Sequence, residues 1–210
     1  MNRQYNQALA NLSDLLKEPQ YAERKECLFK ILEIFQKCKI NYSIICSLNL
    51  FIRGIIDDFY DFDILIEYEE AKKVKSILEA QGAILVATGG NGYCESRKYM
   101  NFKWGRVDID IIADFRLVTF ESEYIYVYNE NENDKVTIGN LETKLASLEA
   151  LYVLYYMMEG WQPRRKYKRL LIEKALLKNT ISYKGVLKKA LEEFSLPEHI
   201  QKGIRKMLNE

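Results

Sequence analysis

The chain has 210 residues and a formal net charge of +1; 48% of its residues are hydrophobic and 29% are charged. These values are typical of a soluble globular protein with one large domain or two small ones. No apolar run reaches the roughly 18 residues of a membrane helix, and the first 18 residues lack a signal-peptide pattern. We therefore expect no membrane association.

The cysteine and histidine content excludes several kinds of site. None of the four cysteines belongs to a Cys-x-x-Cys pair, and the only histidine is His199. A structural zinc site, a disulfide scaffold and histidine-based catalysis are therefore disfavoured. We expect unbridged thiols in the reducing cytoplasm, with His199 on the surface near the start of a helix.

Charge is distributed unevenly along the chain. Residues 1–139 contain 17 Lys and Arg against 22 Asp and Glu, whereas residues 140–210 contain 14 against 8. An acidic part and a basic part could share an anionic ligand between them. A helical C-terminal part with a lysine-rich surface explains the same numbers equally well.

The first 139 residues alternate helical and strand patterns. Apolar residues recur at helical spacing over 5–18 and 22–39, and a third helix over 69–81 ends at Gly82. Runs rich in β-branched and aromatic residues predict strands. Gly-rich residues 89–92 and polar residues 129–135 predict loops. The predicted strands are 41–48, 61–68, 83–87, 96–104, 106–112 and 124–129.

The rest of the chain has a helical pattern. Helices are predicted over 141–160, 164–178, 182–194 and 197–209, with Gly and Pro between most of them. The order of elements predicts an α+β fold, in which helices flank a mixed β-sheet core. We divide the chain into a core with a helical lead-in (1–139) and a helical C-terminal domain (140–210).

Two strands carry pairs of aspartates among strong strand formers. Asp61 and Asp63 alternate with Phe62 and Ile64, and the stretch "RVDIDII" places Asp108 and Asp110 in the same arrangement. Residues two apart in a strand share a face. If the two strands are neighbours, three or four carboxylates converge, as a site for two divalent cations requires.

The alternative is a sheet whose outer face is simply acidic. A single Asp-x-Asp pair would favour that interpretation. Two such pairs favour a metal site, because aspartate is a poor strand former and rarely repeats on a surface strand. Asp57 and Asp58 are better explained as residues of a solvated turn.

These residues resemble the DNA polymerase β-like nucleotidyltransferase superfamily. Its pattern is an apolar residue, Gly and then Gly or Ser, followed after about nine to thirteen residues by Asp-apolar-Asp/Glu-apolar. Here Ile45-Cys46-Ser47 is followed by Asp61-Phe62-Asp63-Ile64. A third acid lies between apolar residues on a later strand, and "VDI" at 107–109 matches it, as does "IDI" at 109–111. Cys46 replaces the first glycine of the pattern.

The resemblance implies a set of site residues. Asp61 and Asp63 would hold two Mg²⁺ ions, and position in the motif favours Asp108 over Asp110 as the third carboxylate and metal ligand. Ser47 would hydrogen-bond a phosphate beside Cys46. In similar enzymes a lysine of the helix that corresponds to the one predicted over 141–160 approaches the nucleotide, which points to Lys144.

Two basic features remain open. Arg53 could bind a phosphate or pair with a neighbouring acid. The segment "QPRRKYKR" (162–169) places five positive charges within eight residues. These charges could neutralise phosphate near a metal site, or they could simply solvate the start of a helix.

The function implied by the resemblance is transfer of a nucleoside monophosphate from an NTP to a hydroxyl group, with release of pyrophosphate. A small acceptor such as an antibiotic or sugar is favoured. A tRNA or protein acceptor is the alternative within this class, although near-neutral charge disfavours a long nucleic-acid track. An inactive nucleotide- or partner-binding protein is the alternative from another class, because Cys46 stands in place of a glycine.

Overall fold

The computed structural model describes residues 21–89, 94–119, 122–160, 162, 164–179 and 181–210. The helix predicted over 5–18 and most of the loop predicted at 89–92 lie outside these residues. Within the described residues, no helix has both the length and the apolar character needed to cross a bilayer. None of the four cysteines forms a disulfide.

A seven-stranded mixed sheet organises the fold. The strands of the protein are β1 (Tyr42–Ile44), β2 (Phe62–Ile66), β3 (Ile84–Thr88), β4 (Lys98–Trp104), β5 (Val107–Ala113), β6 (Phe115–Val118), β7 (Glu123–Tyr126), β8 (Asn133–Ile138) and β9 (Leu141–Ala146). Their order in the sheet is β3-β4-β5-β2-β1-β9-β8. The β2/β5 and β1/β9 pairs are parallel, and the other neighbours are antiparallel. β6 and β7 form a separate hairpin.

Seven α-helices accompany the sheet in the described residues. The helices predicted near residues 22, 69, 164, 182 and 197 are confirmed to within a few residues. The helices are α1 (Ala22–Lys37), α2 (Cys46–Ile52), α3 (Ala71–Ala80), α4 (Leu148–Glu159), α5 (Arg164–Lys178), α6 (Lys184–Glu193) and α7 (Glu198–Leu208). His199 is exposed in the first turn of α7, as predicted.

The two faces of the sheet belong to different apolar clusters. Phe62 and Ile64 of β2 pack with α1 and α3 on one face. Leu65 lies on the opposite face and packs with α4 to α7 and the β6–β7 hairpin. Because side chains alternate along a strand, Asp61 and Asp63 share the face of Leu65.

The helix predicted over 141–160 is wrong at its start. Residues Leu141–Ala146 form β9, and the helix begins only at Leu148 after a Ser147 N-cap. The segment "LETKLA" is rich in helix formers, but pairing with β8 on one side and β1 on the other overrides that preference. The predicted boundary at 139/140 therefore falls in the turn between two strands of one sheet, and the two-domain division stays a prediction.

Candidate active site

Asp61, Asp63 and Asp110 come together on one face of the sheet. β2 and β5 are parallel neighbours, and their register places Asp63 directly opposite Asp110. Asp61 immediately precedes β2. One carboxylate oxygen from each of the three lies within 4.8 Å of the others. The convergence predicted for the two Asp-x-Asp pairs therefore occurs for three of the four carboxylates.

These carboxylates raise the free energy of each other's charged forms. Burial, followed by the charges of Asp61 and Asp110, raises the pKa of Asp63 well above its ordinary value. Burial also raises the pKa of Asp110, although hydrogen bonds from its neighbours oppose this. Three half-buried acids that repel one another require compensation by positive charge.

Hydrogen-bond donors hold two of the three carboxylates. The Tyr99 hydroxyl donates to Asp110 Oδ1 at 2.9 Å, and Asn101 Nδ2 donates to the same oxygen at 2.7 Å. Ser47 Oγ donates to Asp61 Oδ1 at 3.1 Å. Sequence reasoning singled out Ser47 but missed Tyr99 and Asn101. Their alternation on β4, next to the Asp-x-Asp strand, was the available signal.

Asp108 lies outside this cluster. It precedes Asp110 on the same face of β5, but its carboxylate pairs with Lys103 at 3.7 Å and its side chain is 48% exposed. The preference for Asp108 as the third carboxylate came from the motif alone. The register of the strands brings Asp110 to the cluster instead.

The turn from β1 into α2 places Cys46 and Ser47 beside the aspartates. Ile45 is extended, whereas Cys46 has a φ of 52°, in the left-handed region that favours glycine. Asn49 holds this turn in place by donating to the carbonyls of Ile44 (2.8 Å) and Ala146 (2.9 Å). Cys46 thus keeps a glycine-like backbone while adding a buried thiol, whose pKa burial raises.

Positive charge reaches the aspartates from α5. Arg165 and Lys168 lie one turn apart and both contact the ring of Tyr155 in α4. Arg165 Cζ is 5.6 Å from the ring centroid, and Lys168 Nζ is 6.0 Å from it. Both charges act to lower the pKa of Asp63. Burial and the neighbouring arginine lower the pKa of Lys168. Two of the five positive charges in segment 162–169, those of Arg165 and Lys168, therefore act on the acidic cluster.

Arg53 has a different role from phosphate binding. Its side chain is 4% exposed and pairs with Asp134 at 2.7 Å. It also donates to Asn49 Oδ1 and to the Ala146 carbonyl. The alternative of pairing with a neighbouring acid is the one observed, and the residue joins α2 to β8 and β9.

Lys144 lies on β9, not on the predicted helix. Its ammonium group donates to the Tyr128 hydroxyl and the Glu130 carboxylate, both at 3.0 Å. Asp58 lies in the irregular segment before β2, where it accepts from the Tyr21 hydroxyl at 2.9 Å and pairs with Arg24 at 3.5 Å.

The cluster suits a hard divalent cation. It offers three carboxylates, which form an all-oxygen donor set. Such a set suits Mg²⁺ and Mn²⁺ better than it suits zinc or copper. The repulsion among the carboxylates is relieved by such a charge. Asp61, Asp63 and Asp110 are therefore the residues that could hold the metal.

No protein-family model matches the chain, and no curated protein matches it by sequence. Solved structures do share its fold. A proposed nucleotidyltransferase from Thermotoga maritima aligns at a TM-score of 0.57 and 18% identity, covering 72% of this chain and 94% of the other. The antibiotic-resistance factor ANT(2'')-Ia aligns in two structures. The complex with adenylyl-2''-tobramycin gives a TM-score of 0.54 at 13% identity and covers 87% and 97% of the two chains. The solution structure gives 0.53 at 14% identity and covers 87% and 91%.

Proposed function

We propose that this chain, which has the fold of the nucleotidyltransferases, is a metal-dependent enzyme that transfers a nucleoside monophosphate from an NTP to a hydroxyl group. The observation that carries the proposal is the cluster of Asp61, Asp63 and Asp110, opposed by Arg165 and Lys168. An acidic face alone would not require half-buried cations on a separate helix.

The acidic half of the site holds the cations and accepts the proton. Asp61 and Asp63 would hold the two Mg²⁺ ions, and Asp110 would supply the third carboxylate. The ions supply Lewis-acid stabilisation of charge on the attacking and leaving oxygens when bound. Asp110 would accept the proton of the acceptor hydroxyl. Ser47 orients Asp61 through its hydrogen bond and lies where it could also meet a phosphate.

The reaction forms one bond and breaks another at the α-phosphorus. The acceptor oxygen bonds to this phosphorus while the bond to the bridging α,β-oxygen breaks, and pyrophosphate leaves with its electron pair. Arg165 and Lys168 are placed to neutralise the triphosphate and the leaving pyrophosphate. Positioning and neutralisation of charge account for most of the catalysis in phosphoryl transfer.

A small hydroxylated molecule is the acceptor we favour. The ANT(2'')-Ia structure contains adenylylated tobramycin, so this fold accommodates an acceptor of that size. The net charge of +1 gives little attraction for a long nucleic acid. A tRNA or protein acceptor is the alternative that the experiment below separates.

The test is transfer of label from α-³²P-NTPs with Mg²⁺ or Mn²⁺. Pooled cell metabolites, RNA and protein are offered separately as acceptors. We compare the wild type with the Asp61→Ala, Asp63→Ala double variant. Asp108→Asn is the matched control, because it removes a carboxylate from the same face of the sheet but outside the cluster.

The expected result is transfer by the wild type and by Asp108→Asn, with loss in the double variant. The labelled product then identifies the acceptor class. Binding of metal and NTP without transfer to any acceptor would favour the inactive, nucleotide-binding alternative. Absence of metal and NTP binding in the wild type would refute the assignment of the active site.

A further inference from the structure

The third carboxylate of the site is held differently from Asp108, its neighbour on the same strand. Asp110 Oδ1 accepts two hydrogen bonds, one from the Tyr99 hydroxyl and one from the Asn101 amide. Both donors are uncharged and lie on β4, two residues apart on one face. Asn101 is the direct partner of Asp110 in the β4/β5 register.

Two donors on one oxygen fix the orientation of the whole group. The terminal torsion of aspartate is broad and lets the two oxygens exchange places. Oδ1 is occupied by the two donors of β4, which leaves Oδ2 for a ligand shared with Asp63, the partner of Asp110 on β2, and with Asp61. Among the described residues, Asp108 pairs only with the flexible ammonium group of Lys103 and is not oriented in this way.

The donors are also of a suitable charge. A lysine or arginine in their place would pair with Asp110 and compete with a metal for it. Neutral donors stabilise the carboxylate without removing its negative charge. Hydrogen bonds to ligating carboxylates contribute strongly to metal affinity in proteins.

We infer that Tyr99 and Asn101 are positioning residues, which orient Asp110 toward the metal and so set the metal affinity of the site. This inference rests on the proposed function and adds two residues from a strand that carries no part of the sequence motif. A purely structural role, in which the two donors only satisfy a half-buried carboxylate, is the alternative to be separated.

The experiment measures Mn²⁺ binding by the loss of the free-ion EPR signal, with and without ATP. The variants are Tyr99→Phe, Asn101→Ala and the two combined. Lys103→Ala is the matched control, because Lys103 lies on the same strand and face but bonds Asp108. Asp110→Asn is the reference for loss of the ligand itself. Thermal unfolding without metal reports on the fold of each variant.

We expect each single variant to raise the Mn²⁺ dissociation constant about tenfold and the double variant to raise it further. Lys103→Ala should remain within about twofold of the wild type. Wild-type Mn²⁺ affinity in Tyr99→Phe and the double variant, with affinity lost in Asp110→Asn, would overturn the inference. So would a lowered melting temperature with unchanged affinity, since that is the structural role.

Failure of the proposed function gives a different result. If the wild type transfers label while Tyr99→Phe and Asn101→Ala bind Mn²⁺ with normal affinity, only the positioning role is refuted. A wild type that binds no Mn²⁺ with ATP refutes the metal site and the inference together. If Asn101→Ala does not fold, Tyr99→Phe decides the question, because it removes one hydroxyl and keeps the packed ring.

Discussion

The backbone at Cys46 permits a direct test of why a glycine suits this position. Cys46 has a φ of 52°, and its side chain is buried at 4% exposure. A left-handed conformation costs a residue with a Cβ roughly 1–2 kcal/mol. Cys46→Ala keeps that cost and removes only the thiol, whereas Cys46→Gly removes the thiol and the cost together. The two variants therefore differ only at the Cβ atom, which gives rise to the backbone cost.

Glycine also loses more conformational entropy on folding. This loss offsets roughly 0.5–1 kcal/mol of the stability that Cys46→Gly gains by removing the backbone cost. Cys46→Gly should consequently be more stable than Cys46→Ala by roughly 0.5–1 kcal/mol. In a domain of about 150–250 residues this is a difference of about 1–4 °C in melting temperature. The measurement is urea unfolding, with thermal unfolding as a second probe.

The comparison is between the two variants, because both lose the buried sulfur. A Cys46→Ala variant as stable as Cys46→Gly, or more stable, would refute the reasoning. It would mean that the turn into α2 does not hold a left-handed residue. The replacement of the motif glycine would then need another explanation.

Three further predictions concern charged residues. Asp63→Asn should raise the melting temperature without metal by about 2–4 °C, because it removes one of three repelling charges, and should abolish stabilisation by Mg²⁺. At a Mg²⁺ concentration tenfold above the dissociation constant, the free energy of unfolding of the wild type and of the control Asp108→Asn should rise by about 1.4 kcal/mol. An equal rise in all three proteins would contradict the metal site. Lys168→Met should weaken ATP binding about tenfold in calorimetric titrations while the exposed Lys166→Met changes it less than twofold, and equal effects would mean that neither charge faces the nucleotide. Arg53→Met should lower the free energy of unfolding in urea by about 3 kcal/mol, because it breaks a partly buried ion pair and two further hydrogen bonds of Arg53. A loss below about 1 kcal/mol would show that these contacts contribute little.

The fold class and the position of the acidic cluster could be predicted because they rest on local patterns. Alternation of aspartates with apolar residues fixed β2 and β5 as strands and placed both acids of each pair on one face. Helices α1, α3 and α5 to α7 have clear apolar periodicity and punctuation. These features depend on a few neighbouring residues, which the sequence displays directly.

Residues 46–48, predicted as part of a strand, begin helix α2 instead. Other errors concern pairing between distant segments. "VDI" and "IDI" match the motif equally well, and only the register of β5 against β2 selects Asp110. The segment of β9 has helix-forming residues and becomes a strand because β1 and β8 flank it. For Arg53 the sequence leaves a phosphate and a neighbouring acid as alternatives, and the structure pairs it with Asp134, which is distant in the chain.

The order of strands in the sheet determines where the chain can be truncated without disrupting the fold. β9 lies inside the sheet, between β1 and β8, although it follows both in the chain. A fragment that ends at residue 139 would lose an interior strand and leave β8 without a partner. It would also expose the backbone edge of β1 to association with other chains. A fragment intended to retain the sheet has to extend through β9, and the cations of α5 would still be absent from it.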